Sequence, residues 1–413
     1  MTKNSLWGSL SVLSVGLIFS LAACNSADEA VLRTNVQDNV DAETFSSEII
    51  DGQYIMELDE DRFTKAEKFI DSYENRISQI RFDILEHFKG IGITENDIVH
   101  VYGKAVIGFA ATLDQDQLKS IKMDPIVRNV EEDQFIVLKK PSNPGGGKGG
   151  GGGGGSSHPA QSTPWGISAV GGPANGSGKR AWIIDSGIDM DHDDLNVDAN
   201  NSKSFLSKGK RSKSPDDGHG HGTHVAGTVA AINNDIGVVG VAAGATVVSV
   251  RVLDNNGSGT LSGVIAGVDY VAAKAVGEVA NMSLGGGAST TLDNAVKNAA
   301  AGGVKFAIAA GNSATHTNNA SPARANHTNI YTISAMDINH NFASFSNYGN
   351  PPVDYCAPGV NVKSLWLSNG YNTISGTSMA APHVCGILLM GSVSSSGTVN
   401  YDPDGTPDPK AHL

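Results

Sequence analysis

The chain has 413 residues, 29 Lys and Arg against 42 Asp and Glu for a formal net charge of -13, and 50 glycines. Its length allows more than one domain and a sizeable core, while the acidic balance argues against a nucleic-acid partner. Three cysteines, Cys24, Cys356 and Cys385, are too few for a disulfide-built scaffold.

Residues 1–23 read as an export signal, with Lys3 as a basic start and an apolar core over residues 10–22 too short for a comfortable permanent span. The run ends in Leu21-Ala22-Ala23-Cys24, which resembles the lipobox of bacterial lipoproteins. That resemblance implies a lipidated Cys24 as the new N-terminus, holding an exported protein at a membrane surface. The alternative is an ordinary signal peptide with small residues at its cleavage site. Residues 24–51, polar and acidic, read as a tether.

Residues 52–140 form a first unit. Gln53-Tyr54-Ile55-Met56-Glu57-Leu58 alternates as a strand, and Ile77, Ile80, Ile84 and Phe88 recur at helical spacing within 62–88. Strands over 98–102 and 105–111 turn at Gly103, a short helix covers 116–122, and a last strand lies around 126–130. The order β-α-β-β-α-β predicts a small ferredoxin-like α+β domain, without a catalytic constellation of its own. Residues 141–159 are a Gly-rich flexible linker.

From residue 160 to 391 apolar strands (181–184, 246–252, 279–283, 304–309, 330–335) alternate with Ala- and Gly-rich helices (225–232, 261–275, 291–301, 378–390). Near-continuous apolar strands predict a mainly parallel sheet covered on both faces, an α/β doubly wound fold with function at the carboxyl ends of its strands. Residues 392–413 read as a polar, solvated C-terminal tail. Cys356 and Cys385 could pair or remain thiols.

Three polar motifs fall at those strand ends. Ile183-Ile184-Asp185-Ser186-Gly187 closes the first strand, Gly218-His219-Gly220-His221-Gly222-Thr223-His224 opens the next helix, and Gly376-Thr377-Ser378 opens the last. Pro382 then belongs near that last helix's start, where a missing N–H is tolerated. A Ser hydroxyl is a weak nucleophile that needs a His base, and the base needs a carboxylate to orient it. Singly, each motif also reads as a cap or a loop residue. Together they closely resemble the subtilisin-like serine proteases over residues 160 to about 390.

The resemblance implies Asp185 as orienter, His221 as base and acid, Ser378 as nucleophile and Asn312, in Ala310-Gly311-Asn312, as oxyanion donor. It leaves His224 packed in the helix and His219 as an exposed extra. It implies an extended peptide held between Gly257-Ser258-Gly259 and Ser283-Leu284-Gly285, with Ala320 on the wall of a pocket for apolar or mid-sized residues. A structural Ca²⁺ is implied at Gln161, Asp194 and Asn234 with the carbonyls of Ile232, Ile236 and Val238, an all-oxygen set that suits this cation.

Residues 52–140 then resemble the family's propeptide, an intramolecular inhibitor. Phe135 to Lys140 would cross the subsites and self-cleavage would fall near Leu138–Lys140. The expectation is a monomeric, exported serine endopeptidase acting on protein or peptide substrates. The other classes weighed are a catalytically inactive peptide-binding relative and a zinc hydrolase built on His219, His221 and His224.

Overall fold

The computed structural model describes residues 42–63, 72–139, 158–207 and 212–413, all within one unit, Val40–Leu413. The export signal, Cys24, the first part of the tether, Lys140 and residues 141–157 of the linker lie outside the described residues.

The first domain contains β1 (Thr44–Leu58), α1 (Tyr73–His87), β2 (Ile98–Gly103), β3 (Ile107–Thr112), α2 (Gln115–Met123) and β4 (Val127–Lys139). Its strands lie in the order β4-β1-β3-β2, as the ferredoxin-like pattern requires. Ser72 caps α1 through Asn75 N, and Asp114 with Gln117 forms a capping box on α2. The two faces of the sheet serve different cores. Tyr54, Met56, Leu58 and Phe109 pack on Ile80, Ile84 and Ile121 of the domain's own helices. Ile55 and Ala110, pointing the opposite way, join a second core shared with the larger domain. Strand β1 begins earlier than expected, so the last residues read as tether, from Thr44 onward, are sheet.

The larger domain adds β5 (Arg180–Asp185), α3 (His221–Ala230), β6 (Thr246–Arg251), β7 (Ser258–Thr260), α4 (Leu261–Lys274), β8 (Val279–Met282), β9 (Gly286–Gly287) and α5 (Thr290–Ala301). It continues with β10 (Lys305–Ala309), β11 (Ala320–Ser321), β12 (Ile330–Met336), β13 (Val353–Pro358), β14 (Val362–Trp366), β15 (Gly370–Ile374), α6 (Thr377–Met390), β16 (Ser394–Thr398) and β17 (Pro409–His412). The main sheet runs β16-β17-β13-β12-β10-β8-β5-β6, and all its pairings except β16–β17 are parallel. α4 and α5 pack on one face, α3 and α6 on the other. Trp182, Ile184 and Phe306 fill the first layer; Ile183, Ala307 and Ile333 fill the second.

Two expectations are corrected here. Residues 392–413 are not a solvated tail: β16 and β17 form a hairpin, and β17 pairs with β13 through Cys356 and Lys410. Asp408 is buried and accepts Ser334 Oγ at 2.5 Å and Asn350 Nδ2 at 2.9 Å, so its polarity is met inside the fold. Pro382 lies inside α6, past the first turn. The ring costs the helix the bond that Ser378 O would receive from residue 382, and Ser283 Oγ supplies it instead at 2.7 Å. Cys356 and Cys385 are both buried free thiols.

Candidate active site

Asp185 is the last residue of β5, at the carboxyl end of the sheet. Gly220, with φ of 105°, turns the chain so that α3 starts directly at His221. The His221 ring then faces back to β5, with Nδ1 2.7 Å from Asp185 Oδ1 and both side chains fully buried. Burial alone would lower the His221 pKa, but the Asp185 and Glu43 carboxylates outweigh it and raise the imidazole to about 9.

The loop that delivers His221 is fixed by Asp217, a residue the sequence reading passed over. Its carboxylate accepts His219 N, Gly220 N, Thr223 N, Thr223 Oγ1 and Ser186 Oγ at 2.7–3.0 Å. Ser186 Oγ in turn accepts Gly222 N at 3.0 Å, tying the turn after Asp185 to the helix that carries His221. The signal was an Asp directly before the Gly-His-Gly-His run, where a carboxylate can collect several loop N–H groups.

Ser378 is the second residue of α6 and is buried. Asn312 Oδ1 accepts both Thr377 N and Thr377 Oγ1 at 2.8 Å, which leaves its Nδ2 to donate to Glu43 O at 2.5 Å. Ser378 Oγ donates to Ser283 O at 3.3 Å, while Ser283 Oγ donates to Ser378 O. His221 Nε2 faces Glu43 Oε2 at 3.3 Å. Asp185 thus pairs with His221, Asn312 bonds Thr377 beside Ser378, and Glu43 of the chain's own earlier segment touches both His221 and Asn312.

The predicted edges also border one cleft. Strand β4 pairs antiparallel with β7, Val137 opposite Ser258 and Ile136 opposite Gly259, and Leu138 N donates to Gly257 O at 2.9 Å. The opposite edge is β9, paired with β11 at Ala320 and Ser321. A cavity of about 250 Å³ near Asn312 is lined by Leu284, Gly285, Ala320, Ala323 and Phe45. A larger cavity, about 550 Å³, lies away from His221 and Ser378 beside Arg180, Glu278 and Lys305. Arg180 and Glu278 there pair with each other at 2.7 Å.

The first domain grips the larger one through carboxylates. Glu131 accepts Ser289 Oγ and Thr291 N at the start of α5, and Asp133 accepts Ser262 N at the start of α4. In return Asp269 of α4 accepts Gly103 N, Lys104 N and Ala105 N at 2.6–2.9 Å, and Tyr73 Oη at 2.9 Å.

His219 is 5% exposed, correcting the exposed placement; its ring lies edge-on to His221 with centroids 6.4 Å apart. His224 Nε2 lies 3.0 Å from Val362 O. With His221 turned to Asp185 and His224 to the backbone, the three rings do not converge on a common point, and no group of three His, Cys, Asp or Glu among the described residues is arranged for a metal.

Gln161, Asp194 and Asn234 do come together. Gln161 Oε1 accepts Asn234 N at 2.5 Å, and Asp194 accepts Asn234 Nδ2 at 3.0 Å and Val238 N at 3.4 Å. The loop bearing Ile232 and Ile236 closes on them through Ile232 N to Asp194 O and Ile236 N to Asn234 Oδ1. Burial raises the Asp194 carboxyl to about 6, the condition of a buried carboxylate whose partners are neutral amides. That observation fits a hard cation held by oxygen ligands.

Comparison with known proteins agrees with this geometry. Residues 180–391 match the Subtilase family and residues 53–139 match Peptidase inhibitor I9. The chain is 39% identical to alkaline serine exoprotease A of Vibrio alginolyticus over 313 residues, 72% of this chain and 54% of that protein. It is 37% identical to M-protease of Shouchella clausii, over 72% of this chain and 71% of that one. Alkaline elastase YaB of a Bacillus species is 32% identical over 92% of this chain and 85% of its own. A crystal structure of a cold-adapted subtilisin-like serine proteinase superposes with a TM-score of 0.53 at 38% identity, covering 60% of this chain and 97% of that one. The chain therefore belongs to the subtilase family of serine proteases, with an inhibitor domain of the I9 type ahead of the protease domain.

Proposed function

We propose that this chain is an exported serine endopeptidase made as a self-inhibited zymogen. The observation that carries the reading is the buried Asp185–His221 pair, joined through Glu43 to Asn312 and the first residue of α6, with β4 of the inhibitor domain running along β7. In this reading the Ser378 hydroxyl rotates from Ser283 O to His221 Nε2 and attacks the scissile carbonyl. His221 takes the proton and passes it to the leaving amine, Asp185 holds the ring, and water later resolves the acyl-enzyme. Asn312 Nδ2 and Ser378 N–H donate to the oxyanion. Extended protein or peptide substrates pair with Gly257–Gly259, and the cavity by Ala320 takes an apolar or mid-sized side chain.

Casein hydrolysis by the processed wild type and its loss in Ser378→Ala is the test; no turnover after confirmed removal of residues 52–139 would overturn the reading. Self-cleavage near Leu138–Lys140 is supported by β4 running its carboxyl end past Gly257. Normal processing there of Ser378→Ala made alone would rule it out. Gln161, Asp194, Asn234 and the carbonyls of Ile232, Ile236 and Val238 would hold a structural Ca²⁺, which ties the residue 160 segment to the loop after α3. Cys24 is the proposed lipid anchor, checked by the mass of the mature N-terminal peptide. Self-cleavage would then leave the lipid with the inhibitor domain.

A further inference from the structure

The cleft between β7 and β9 holds two strands of the inhibitor domain, and the second has no counterpart in the I9 match, which begins at residue 53. The amino-terminal half of β1 pairs with the end of β4, from Ile49 opposite Gln134 to Thr44 opposite Lys139. Glu43, 2% exposed, follows directly at the catalytic residues. Its carbonyl accepts Asn312 Nδ2 at 2.5 Å and its N–H donates to Ser375 O at 3.3 Å. Its carboxylate lies 3.3 Å from His221 Nε2. Phe45 and Ser47 line the cavity bounded by Leu284, Gly285 and Ala320.

We propose that residues 43–49 are a second inhibitory segment, bound in the substrate cleft with reversed chain polarity, so that Ser378 meets the Glu43 carbonyl without productive cleavage. The proposal rests on the reading of Ser378 as the nucleophile. Polarity decides it. Strand β4 is antiparallel to β7, and β1 is antiparallel to β4, so residues 44–49 run parallel to β7. In transfer to a serine the acyl part is the chain before the attacked carbonyl, and the leaving amine is the chain after it. Strand β4 approaches carboxyl end first, so residues before its scissile bond lie along β7. In β1 the residues after Glu43 fill the channel instead. An amine released at Thr44 would stay fixed by its ladder to β4, poised to re-form the bond.

Two further contacts oppose turnover. Ser378 Oγ donates to Ser283 O in this arrangement, and His221 Nε2, the group that must take its proton, faces a carboxylate. With Asp185 on one nitrogen and Glu43 by the other, His221 is favoured as the cation, which cannot act as a base.

The test uses processed wild-type protease with the released inhibitor domain as residues 42–139, which keeps the ladder to β4, and a shorter form of residues 50–139. The longer form is expected to inhibit turnover more tightly than the shorter one and to be recovered with residues 42–49 intact. In the full chain, Phe45→Asp empties the cavity and Glu43→Gln removes the charge beside His221. Each is expected to raise the rate of Ser378 labelling by a fluorophosphonate, Phe45→Asp by about tenfold or more from the loss of one partly buried aromatic. Cleavage of the longer form after Glu43 or Phe45 would establish ordinary polarity and overturn the proposal. Equal inhibition by the two forms, and labelling unchanged in both variants, would overturn it as well while leaving the protease reading intact. Absence of turnover without either form would remove that reading and this one together.

Discussion

Replacing Asp269 tests how the two domains stay together after processing. Its Oδ1 accepts Lys104 N and Ala105 N, and its Oδ2 accepts Gly103 N and Tyr73 Oη. In Asp269→Ala three successive inhibitor-domain N–H groups lose their acceptor at a buried contact. Leaving one buried donor unpaired costs about 1–3 kcal/mol. Allowing water to recover part of this, a net loss of about 3 kcal/mol corresponds to roughly a hundredfold weaker inhibition. Asp269→Asn keeps one acceptor oxygen and should fall between wild type and Asp269→Ala. The assay is the inhibition constant of the released inhibitor domain against processed protease, with turnover of a small peptide as the control. That control should be unchanged, because Asp269 touches the inhibitor domain. A shift in inhibition of less than about threefold would refute the reasoning, since it falls below the cost of a single unpaired donor.

Ser283→Ala should lower the melting temperature by a few degrees, for a cost of about 1–2 kcal/mol, because it strips the Ser378 carbonyl of the donor that Pro382 cannot supply. In the unprocessed chain, labelling of Ser378 should rise with pH around 9, the value to which Asp185 and Glu43 raise His221; Asp217 and the His219 ring also face this imidazole. The sign follows from linkage: the stabilisation from a raised His pKa is complete below its unfolded value and is lost as pH passes about 9. Removing Glu43 with the inhibitor domain should move the labelling midpoint to lower pH, and an unmoved midpoint would contradict the contact. Calcium at a hundred times its dissociation constant should stabilise the processed wild type by about 2.7 kcal/mol in thermal melts. Asp194→Ala should abolish the calcium-dependent shift.

The apolar strands and the first domain were legible because they obey one periodicity each. Tyr54, Met56 and Leu58 alternate with Ile55, and the structure uses both sets, one for each domain's core. The motifs at Asp185, His221 and Ser378 stood out in the sequence because each lies at an element boundary, whereas Asn312 was singled out only through the family resemblance. What escaped was polar chain stabilised by specific partners. Thr44 to Ile49 carries Ser and Glu and offers no hydrophobic pattern, yet it forms a ladder because β4 presents an open edge. The β16–β17 hairpin was read as tail because Asp408 looked solvated, whereas Ser334 and Asn350 satisfy it inside. Asp217 and buried His219 were missed for a related reason: loop carboxylates and rings take their burial from the backbone that folds over them. Pro382 shows the converse, a local rule overridden by a hydroxyl distant in sequence.

Strand β7 completes the inhibitor domain's sheet, so departure of that domain leaves an unpaired edge on the protease. An open edge invites any extended chain, including a second copy of the same protein. This one is only Ser258–Thr260, enclosed by Gly257 and by the immediate start of α4. It is long enough to grip one passing strand and too short to nucleate a sheet between molecules. On the proposed processing, an edge this short would let the freed protease domain keep a sticky strand in water without zippering into aggregates.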